Sequence, residues 1–281
     1  MNRNKPQSYK DIVSIPENLK EKLPTSYDVI GNIILLKLDE KLMGFKEEIG
    51  NSLLLANKNT KTVCLVKPVS GEYRTRNVEI IAGEKQTETC HHEYGLNFYL
   101  DVKKTYFSPR LANERRRITK MTKPGETVVD MFTGVAPFPI MIAKNSDPKI
   151  IYAIDKNENA INYANKNIRV NNILDKIELI NGNSKDIEKL IPKELSIDRI
   201  IMNLPLESSE FFQYALGIVD EKSSIHYYTI LSNDKITDHI ELLIKVADRK
   251  NIILENIEIN KIKSYAPHEF YMCFDITARK N

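Results

Sequence analysis

No apolar run in these 281 residues approaches the length needed to cross a bilayer, and the polar N-terminus carries no secretory signal. A protein free of the membrane is expected. Cysteine is sparse: Cys64, Cys90 and Cys273 are odd in number and widely spaced. A disulfide framework is therefore excluded and a reducing, cytoplasmic setting expected. Glycine is missing where nucleotide sites need it most. There is no three-glycine dinucleotide turn and no Gly-Lys-Ser/Thr to hold a triphosphate. Ser108, Ser184 and Ser208 lie in no nucleophile setting, so acyl-transfer hydrolysis has no support. Internal repeats and low-complexity tracts are also lacking.

A large charge of one sign is absent too, the net being +3. The distribution says more. Lys103, Lys104, Arg110, Arg115, Arg116, Arg117, Lys120 and Lys123 run together with Glu114 as the only acid among them. Such a run is either a solvated face or a surface that neutralises phosphates.

Hydropathy patterning divides the chain near residue 120, where Lys123-Pro124-Gly125 breaks a helix-rich connector. Residues 1–120 read as a small α+β domain: loosely packed residues to about 20, a strand–Gly31–strand unit from Asp28, a helix over 39–55, and strands near 62–68, 77–81 and 95–102. Residues 121–281 alternate strand and helix, which means a parallel sheet covered on both faces, with two consecutive strands at the end. The last strand is expected to run antiparallel to its neighbour. The fold class is α/β, a Rossmann-like sheet after a smaller α+β domain.

The stretch Val128-Val129-Asp130-Met131-Phe132-Thr133-Gly134-Val135-Ala136-Pro137 reads as a buried strand, a small-residue turn and a helix start. The following strand closes on Asp155, so the pair forms a nucleoside-binding βαβ unit. Asp155 can accept both ribose hydroxyls or can cap the helix near Asn157; its place directly after an apolar strand favours the ribose. Asn183 either meets an adenine edge or belongs to an Asn-Gly-Asn turn. Asn203-Leu204-Pro205 follows the strand Arg199–Met202, and Pro205 can simply open a helix. Asn203, at a strand tip, can instead hydrogen-bond a flat base.

Upstream, Ser108-Pro109 signals a helix holding Glu114 among cations. A surface Glu–Arg pair worth under about 1 kcal/mol is the plainer reading; a general base is the functional one. Cys90-His91-His92-Glu93 invites a metal, but adjacent ligands cannot easily share one tetrahedral site and no second cluster completes it, so no metal is expected.

Tyr106-Phe107-Ser108-Pro109-Arg110-Leu111-Ala112-Asn113-Glu114-Arg115, then Asp130-Met131-Phe132-Thr133-Gly134-Val135-Ala136-Pro137-Phe138, Asn203-Leu204-Pro205 and Lys263-Ser264-Tyr265-Ala266-Pro267 together resemble the archaeal and eukaryotic tRNA (guanine-37-N1)-methyltransferases. The resemblance runs from about Tyr27 to the C-terminus. It implies a class I methyltransferase using S-adenosyl-L-methionine on the tRNA anticodon loop, with no obligatory protein partner. By the same resemblance Glu114 is the catalytic carboxylate, Arg74 stabilises guanine O6, Tyr106 lies near cofactor and base, and Asn203 holds the base. Asp130, Phe132, Gly134, Asp155, Asn157, Asn183, Asn203 and Pro205 take the cofactor positions.

Three departures from the family pattern stand out. The chain is expected to start near the family's second domain, without the small module that contacts the tRNA elbow; Ala136 replaces a common glycine; and Asn183 stands where an Asp is usual. Related wybutosine-pathway enzymes, which methylate the tricyclic base or transfer an aminocarboxypropyl group, are the nearest alternative, and one enzyme can combine both activities. A non-catalytic RNA-binding protein is the alternative from another class.

Overall fold

The computed structural model describes residues 8–70 and 75–281, leaving aside the side chains of 67–70 and 75–76. The chain forms two units, Met1–Ala112 and Asn113–Asn281. The division falls at Ala112, whereas the sequence pattern put it near residue 120.

In the first unit β1 (Asp28–Ile30) and β2 (Ile33–Leu36) form a hairpin, β2 runs parallel to β3 (Thr62–Ser70), and β3 pairs antiparallel with β4 (Thr75–Gly83). The parallel step needs a crossover. It is made by a 3₁₀ turn at Glu40–Phe45 and a helix over Lys46–Ala56, which bury Leu42, Ile49 and Leu53 on the sheet. Gly50 lets that helix lie close, since a Cβ there would meet the Ala82 methyl at 2.9 Å. The N-terminal segment packs more firmly than expected. Short helices α1 (Tyr9–Ile12), capped by Ser8, and α2 (Glu17–Lys20) accompany the burial of Tyr9, Val13 and Leu23 in this core. The crossover helix is thus α3. A separate hairpin pairs β5 (Glu88–Glu93) with β6 (Leu96–Asp101). The sequence missed β5, whose polar residues show no apolar alternation.

The second unit opens with α4 (Ala112–Met121) and then builds one seven-stranded sheet. Its strands are β7 (Thr127–Asp130), β8 (Ile150–Asp155), β9 (Ile177–Asn181), β10 (Arg199–Met202), β11 (Ser223–Ser232), β12 (Ile252–Ala266) and β13 (Glu269–Lys280). The order is β12-β13-β11-β10-β7-β8-β9. β13 runs antiparallel to both β11 and β12, as the sequence pattern expected, while β9, β8, β7, β10 and β11 are mutually parallel. Helices α5 (Pro137–Asn145), α6 (Glu158–Val170), α7 (Ile187–Leu190), α8 (Ser208–Gly217) and α9 (Ile236–Asp248) follow the strands in turn. β7 and β10 are buried along their whole length, so Val128-Val129 and Ile200-Ile201-Met202 show no polar alternation, and Thr127, Asp130 and Arg199 are buried with them. Each fully buried Ile or Val contributes roughly 1.5–3 kcal/mol. The chain winds outward from β7 to β9, then returns to β10 on the other side of β7. That reversal opens a crevice at the carboxyl ends of β7 and β10, where ligands bind in such sheets.

Candidate active site

Beyond β7 the backbone makes a tight turn with Gly134 and Ala136 both left-handed, at φ +56° and +63°. The turn aims the Gly134 amide at the tip of β8, where it donates to Asp155 Oδ2 at 2.7 Å; the Asn157 amide donates to Oδ1 at 2.9 Å. Each Asp155 oxygen thus keeps acceptor capacity for a further donor. Burial raises the Asp155 pKa while the two amides work against that rise. The cap of α6 is Asn157, whose Oδ1 accepts from the Asn159 amide at 3.0 Å, and Asp155 is left out of that task.

Asp130, 1 % exposed, accepts from the Phe132 amide at 3.3 Å through Oδ1. Its Oδ2 and Thr133 Oγ1 are the buried side-chain polar atoms without a partner among the described residues. Burial pushes the Asp130 pKa up to about 7, against the Phe132 amide and the nearby Thr133 hydroxyl and with a smaller push from the charge of Asp155. Unsatisfied buried acceptors are costly and signal a missing partner. The ammonium group and ribose hydroxyls of S-adenosylmethionine are donors of the right kind for Asp130, Thr133 and Asp155, so the residues fit that group. Phe132 meets Phe211 edge-on at 5.0 Å between ring centroids. Asn183 is exposed and caps the turn Ser184–Asp186, and Ser184 Oγ donates to the Met131 carbonyl at 2.5 Å, tying the loop after β9 to the tip of β7. Pro205 lies in the turn before α8 rather than opening that helix, which begins at Ser208.

Glu114 is not a surface residue: it is 4 % exposed on α4. Arg117, one turn on, donates to it through Nε to Oε2 at 2.8 Å and through Nη2 to Oε1 at 2.7 Å. The Tyr228 hydroxyl on β11 donates to Oε1 at 2.7 Å. The ring of Tyr228 lies 5.9 Å from that of Tyr271 and 6.1 Å from that of Phe138 at the start of α5. The Tyr271 hydroxyl in turn donates to Asn203 Oδ1 at the tip of β10. A continuous set of contacts therefore joins Glu114, Asn203 and the helix that follows the glycine turn.

Tyr106 is exposed in the first unit, and Arg74 falls outside the described residues. In β5, His91 Nδ1 accepts from the Gly31 amide at 3.2 Å, so that nitrogen has a structural partner. His226, Cys273 and Asp275 place ligand-type atoms within 4.8 Å of one another, but the guanidinium groups of Arg117 and Arg199 bond to the same side chains and oppose a metal cation. Sequence reasoning missed Arg117 as a partner of Glu114, and missed Tyr228, Tyr271, His226 and Asp275 entirely. One signal was available. Polar residues interrupt apolar strands at Ile225-His226-Tyr227 and Phe274-Asp275-Ile276.

Six strands running one way with a single antiparallel β13 inserted between β11 and β12, an acid-tipped β8 and an amide-tipped β10 define a class I S-adenosylmethionine-dependent methyltransferase. The family model described as the TRM5/TYW2 methyltransferase domain matches residues 89–255, and that of the TYW2 N-terminal domain matches residues 9–87. The chain belongs to the TRM5/TYW2 family. It is 40% identical over 273 residues to the tRNA (guanine(37)-N(1))-methyltransferase Trm5b of Pyrococcus abyssi, covering 96% of this chain and 80% of that protein. The tRNA(Phe) (4-demethylwyosine(37)-C(7)) aminocarboxypropyltransferase of Methanocaldococcus jannaschii is 32% identical over 89% of this chain and 96% of its own length. Among solved structures, Trm5b from Pyrococcus abyssi superposes with a TM-score of 0.88 at 39% identity, covering 99% of this chain and 82% of that one. A complex of aTrm5 with tRNALeu gives 0.82 at 36%, covering 99% and 79%.

Proposed function

We infer that this protein transfers a methyl group from S-adenosyl-L-methionine to N1 of guanine-37 in the tRNA anticodon loop. The observation that carries the reading is the burial of Glu114 in one contact set with Asn203, next to the turn suited to the methyl donor. Near-full-length identity of 40% to a Trm5b enzyme supports the same acceptor.

Guanine N1 carries a proton at neutral pH, and its lone pair becomes a strong nucleophile only as that proton leaves. Glu114 accepts the proton as general base. Arg74 is assigned to O6, where negative charge develops, a preorganised electrostatic role. Asn203, its amide oriented by the Tyr271 hydroxyl, holds the base edge, and Tyr106 is assigned to the face of the base. The cofactor supplies an electrophilic methyl on a sulfonium that departs as a neutral thioether. Asp155 and the Gly134 turn position the donor, with Asp130, Phe132, Asn157, Asn183 and Pro205 around it. Reaching N1 requires the base to flip out of its stack, at a cost of a few kcal/mol. The first unit is assigned to RNA recognition. Action in the cytoplasm is consistent with three cysteines that form no disulfide, and no helix among the described residues is long and apolar enough to cross a membrane.

The match of residues 9–87 to the TYW2 N-terminal domain gives a second reading, aminocarboxypropyl transfer at the same nucleotide. Incubation with labelled S-adenosylmethionine and a guanine-37 tRNA, followed by nucleoside mass spectrometry, separates the two. N1-methylguanosine is expected, and its formation should cease when position 37 carries another base. An aminocarboxypropyl product, or no product, overturns the assignment.

A further inference from the structure

Glu114 is one end of a buried polar chain that the reaction above does not use. Arg117, besides its two bonds to Glu114, donates to Asp275 on β13 through Nη1 to Oδ2 at 2.5 Å and Nη2 to Oδ1 at 3.2 Å. One guanidinium is thus clamped between two carboxylates. Asp275 also accepts from Asn260 Nδ2 at 2.8 Å and from Cys273 Sγ at 3.3 Å, and it faces His226 Nδ1 at 2.5 Å across the β11–β13 pair. Arg199 Nη1 approaches His226 Nε2 at 2.6 Å. A guanidinium only donates, so Nε2 must be the acceptor and the ring proton sits on Nδ1, pointing at Asp275. His226 is neutral in this arrangement: burial lowers its pKa, Asp275 opposes that, and Arg199 and Arg117 add to it. Arg199 is itself held by Glu126 at 2.8 and 3.0 Å and by the Met121 carbonyl at 2.7 Å.

The charges in this chain explain its form. A buried carboxylate paired with a single guanidinium cannot easily take up a proton, because protonation strands the cation without a counter-ion. Arg117 has a second carboxylate. When Glu114 becomes neutral, Asp275 still balances Arg117, and the guanidinium need not move. Geometry also distinguishes the two oxygens of Glu114. Oε1 takes donors from Arg117 and Tyr228, whereas among the described residues Oε2 takes only Arg117 Nε. Oε2 therefore has the greater remaining acceptor capacity.

We propose that Asp275 is a positioning residue for methyl transfer: held by His226 and Asn260, it fixes and neutralises Arg117, so that Glu114 presents Oε2 to the guanine N1 proton and can accept it. The N1–H bond breaks, the proton ends on Oε2, and Arg117 remains paired with Asp275. The proposal rests on Glu114 acting as general base.

The test is a double-mutant cycle in the full chain with a guanine-37 tRNA transcript. It compares Asp275→Asn, Glu114→Gln and the double variant by single-turnover rate, tRNA KM and calorimetric affinity for S-adenosylmethionine. Asp275→Asn is expected to lower the rate about tenfold or more. Cofactor affinity and tRNA KM should stay within about twofold of wild type, and no further loss should follow in the Glu114→Gln background. An unchanged rate in Asp275→Asn, or the same loss in both backgrounds, overturns the proposal. Full activity in Glu114→Gln alone overturns the general-base reading instead. Should Asp275→Asn fail to melt cooperatively, Asn260→Ala, which removes a donor that holds Asp275, enters the same cycle. A rate loss confined to the Glu114 background supports the positioning cradle, and an additive loss or none overturns it.

Discussion

Asp130 carries a linkage that can be measured without substrate. Its carboxyl is buried at the tip of β7 with one oxygen unpartnered, and its pKa is pushed up to about 7 from the ordinary 3.8. The folded state therefore keeps a proton that the unfolded chain gives up between these values. Stability from this group is fully present below the unfolded pKa and is lost as pH rises through about 7. Asn at this position is neutral throughout. The stability advantage of Asp130→Asn over wild type, in the ligand-free enzyme, should therefore widen by roughly 2 kcal/mol between pH 5 and pH 8. Denaturant melts at the two pH values measure it, and a gap that stays constant would mean that Asp130 is ionised across the range. At this scale the sequence was legible where chemistry and chain position coincide. Asp155 ends an apolar strand, and its exclusion from the α6 cap could be guessed from that place. Glu114 was not legible from its neighbours. A charge run argued for a solvated pair, because Tyr228, which donates to Glu114, and Asp275, which shares its Arg117, lie far along the chain. Of that run Arg115 is buried and Arg117 half-buried, and the second of them holds Glu114.

The turn between β7 and α5 is where element-level reading needed the backbone. Ala136 holds the left-handed conformation that glycine takes most readily, at φ +63° and ψ +40°, with no exposed surface. An L-residue in this region costs roughly 1–2 kcal/mol. Glycine would remove that cost while losing a buried methyl worth about 0.8 kcal/mol and adding unfolded-chain entropy worth about 0.4–1 kcal/mol. The terms nearly cancel. Ala136→Gly should shift stability by less than about 1 kcal/mol, whereas a β-branched Val, much worse at positive φ, should destabilise by more than about 2 kcal/mol. Urea denaturation compares them, and a well-tolerated Val would show that the turn can take another shape. Elsewhere short apolar runs between helical patterns located the parallel strands, because strands such as β7 and β10 are buried on both faces. The same rule failed for β5, whose pairing with β6 is set by hydrogen bonds rather than by apolar alternation.

At the scale of the whole molecule the question is how a chain with a net charge of only +3 holds a polyanion. Sorting the Lys103–Lys123 run by environment answers part of it. Arg110 pairs with Asp28 and Arg117 with Glu114 and Asp275, so these cations are already balanced within their units. Lys120 and Lys123 are exposed on the second unit, just ahead of β7, and are suited to phosphate oxygens. Each phosphate contact releases condensed counterions, so binding should weaken linearly on a log–log scale as salt rises, with each lost contact reducing the slope by about 0.7–0.9. Lys120→Ala/Lys123→Ala should therefore weaken tRNA binding at low salt and flatten the salt dependence by up to about 1.8, while the affinity for S-adenosylmethionine is unchanged. Filter binding across a salt series, paired with calorimetry of the cofactor, measures both. A weaker complex with an unaltered slope would mean that the two lysines act on the fold rather than on phosphate. An unaltered complex would return this stretch to the solvated face that its composition first allowed.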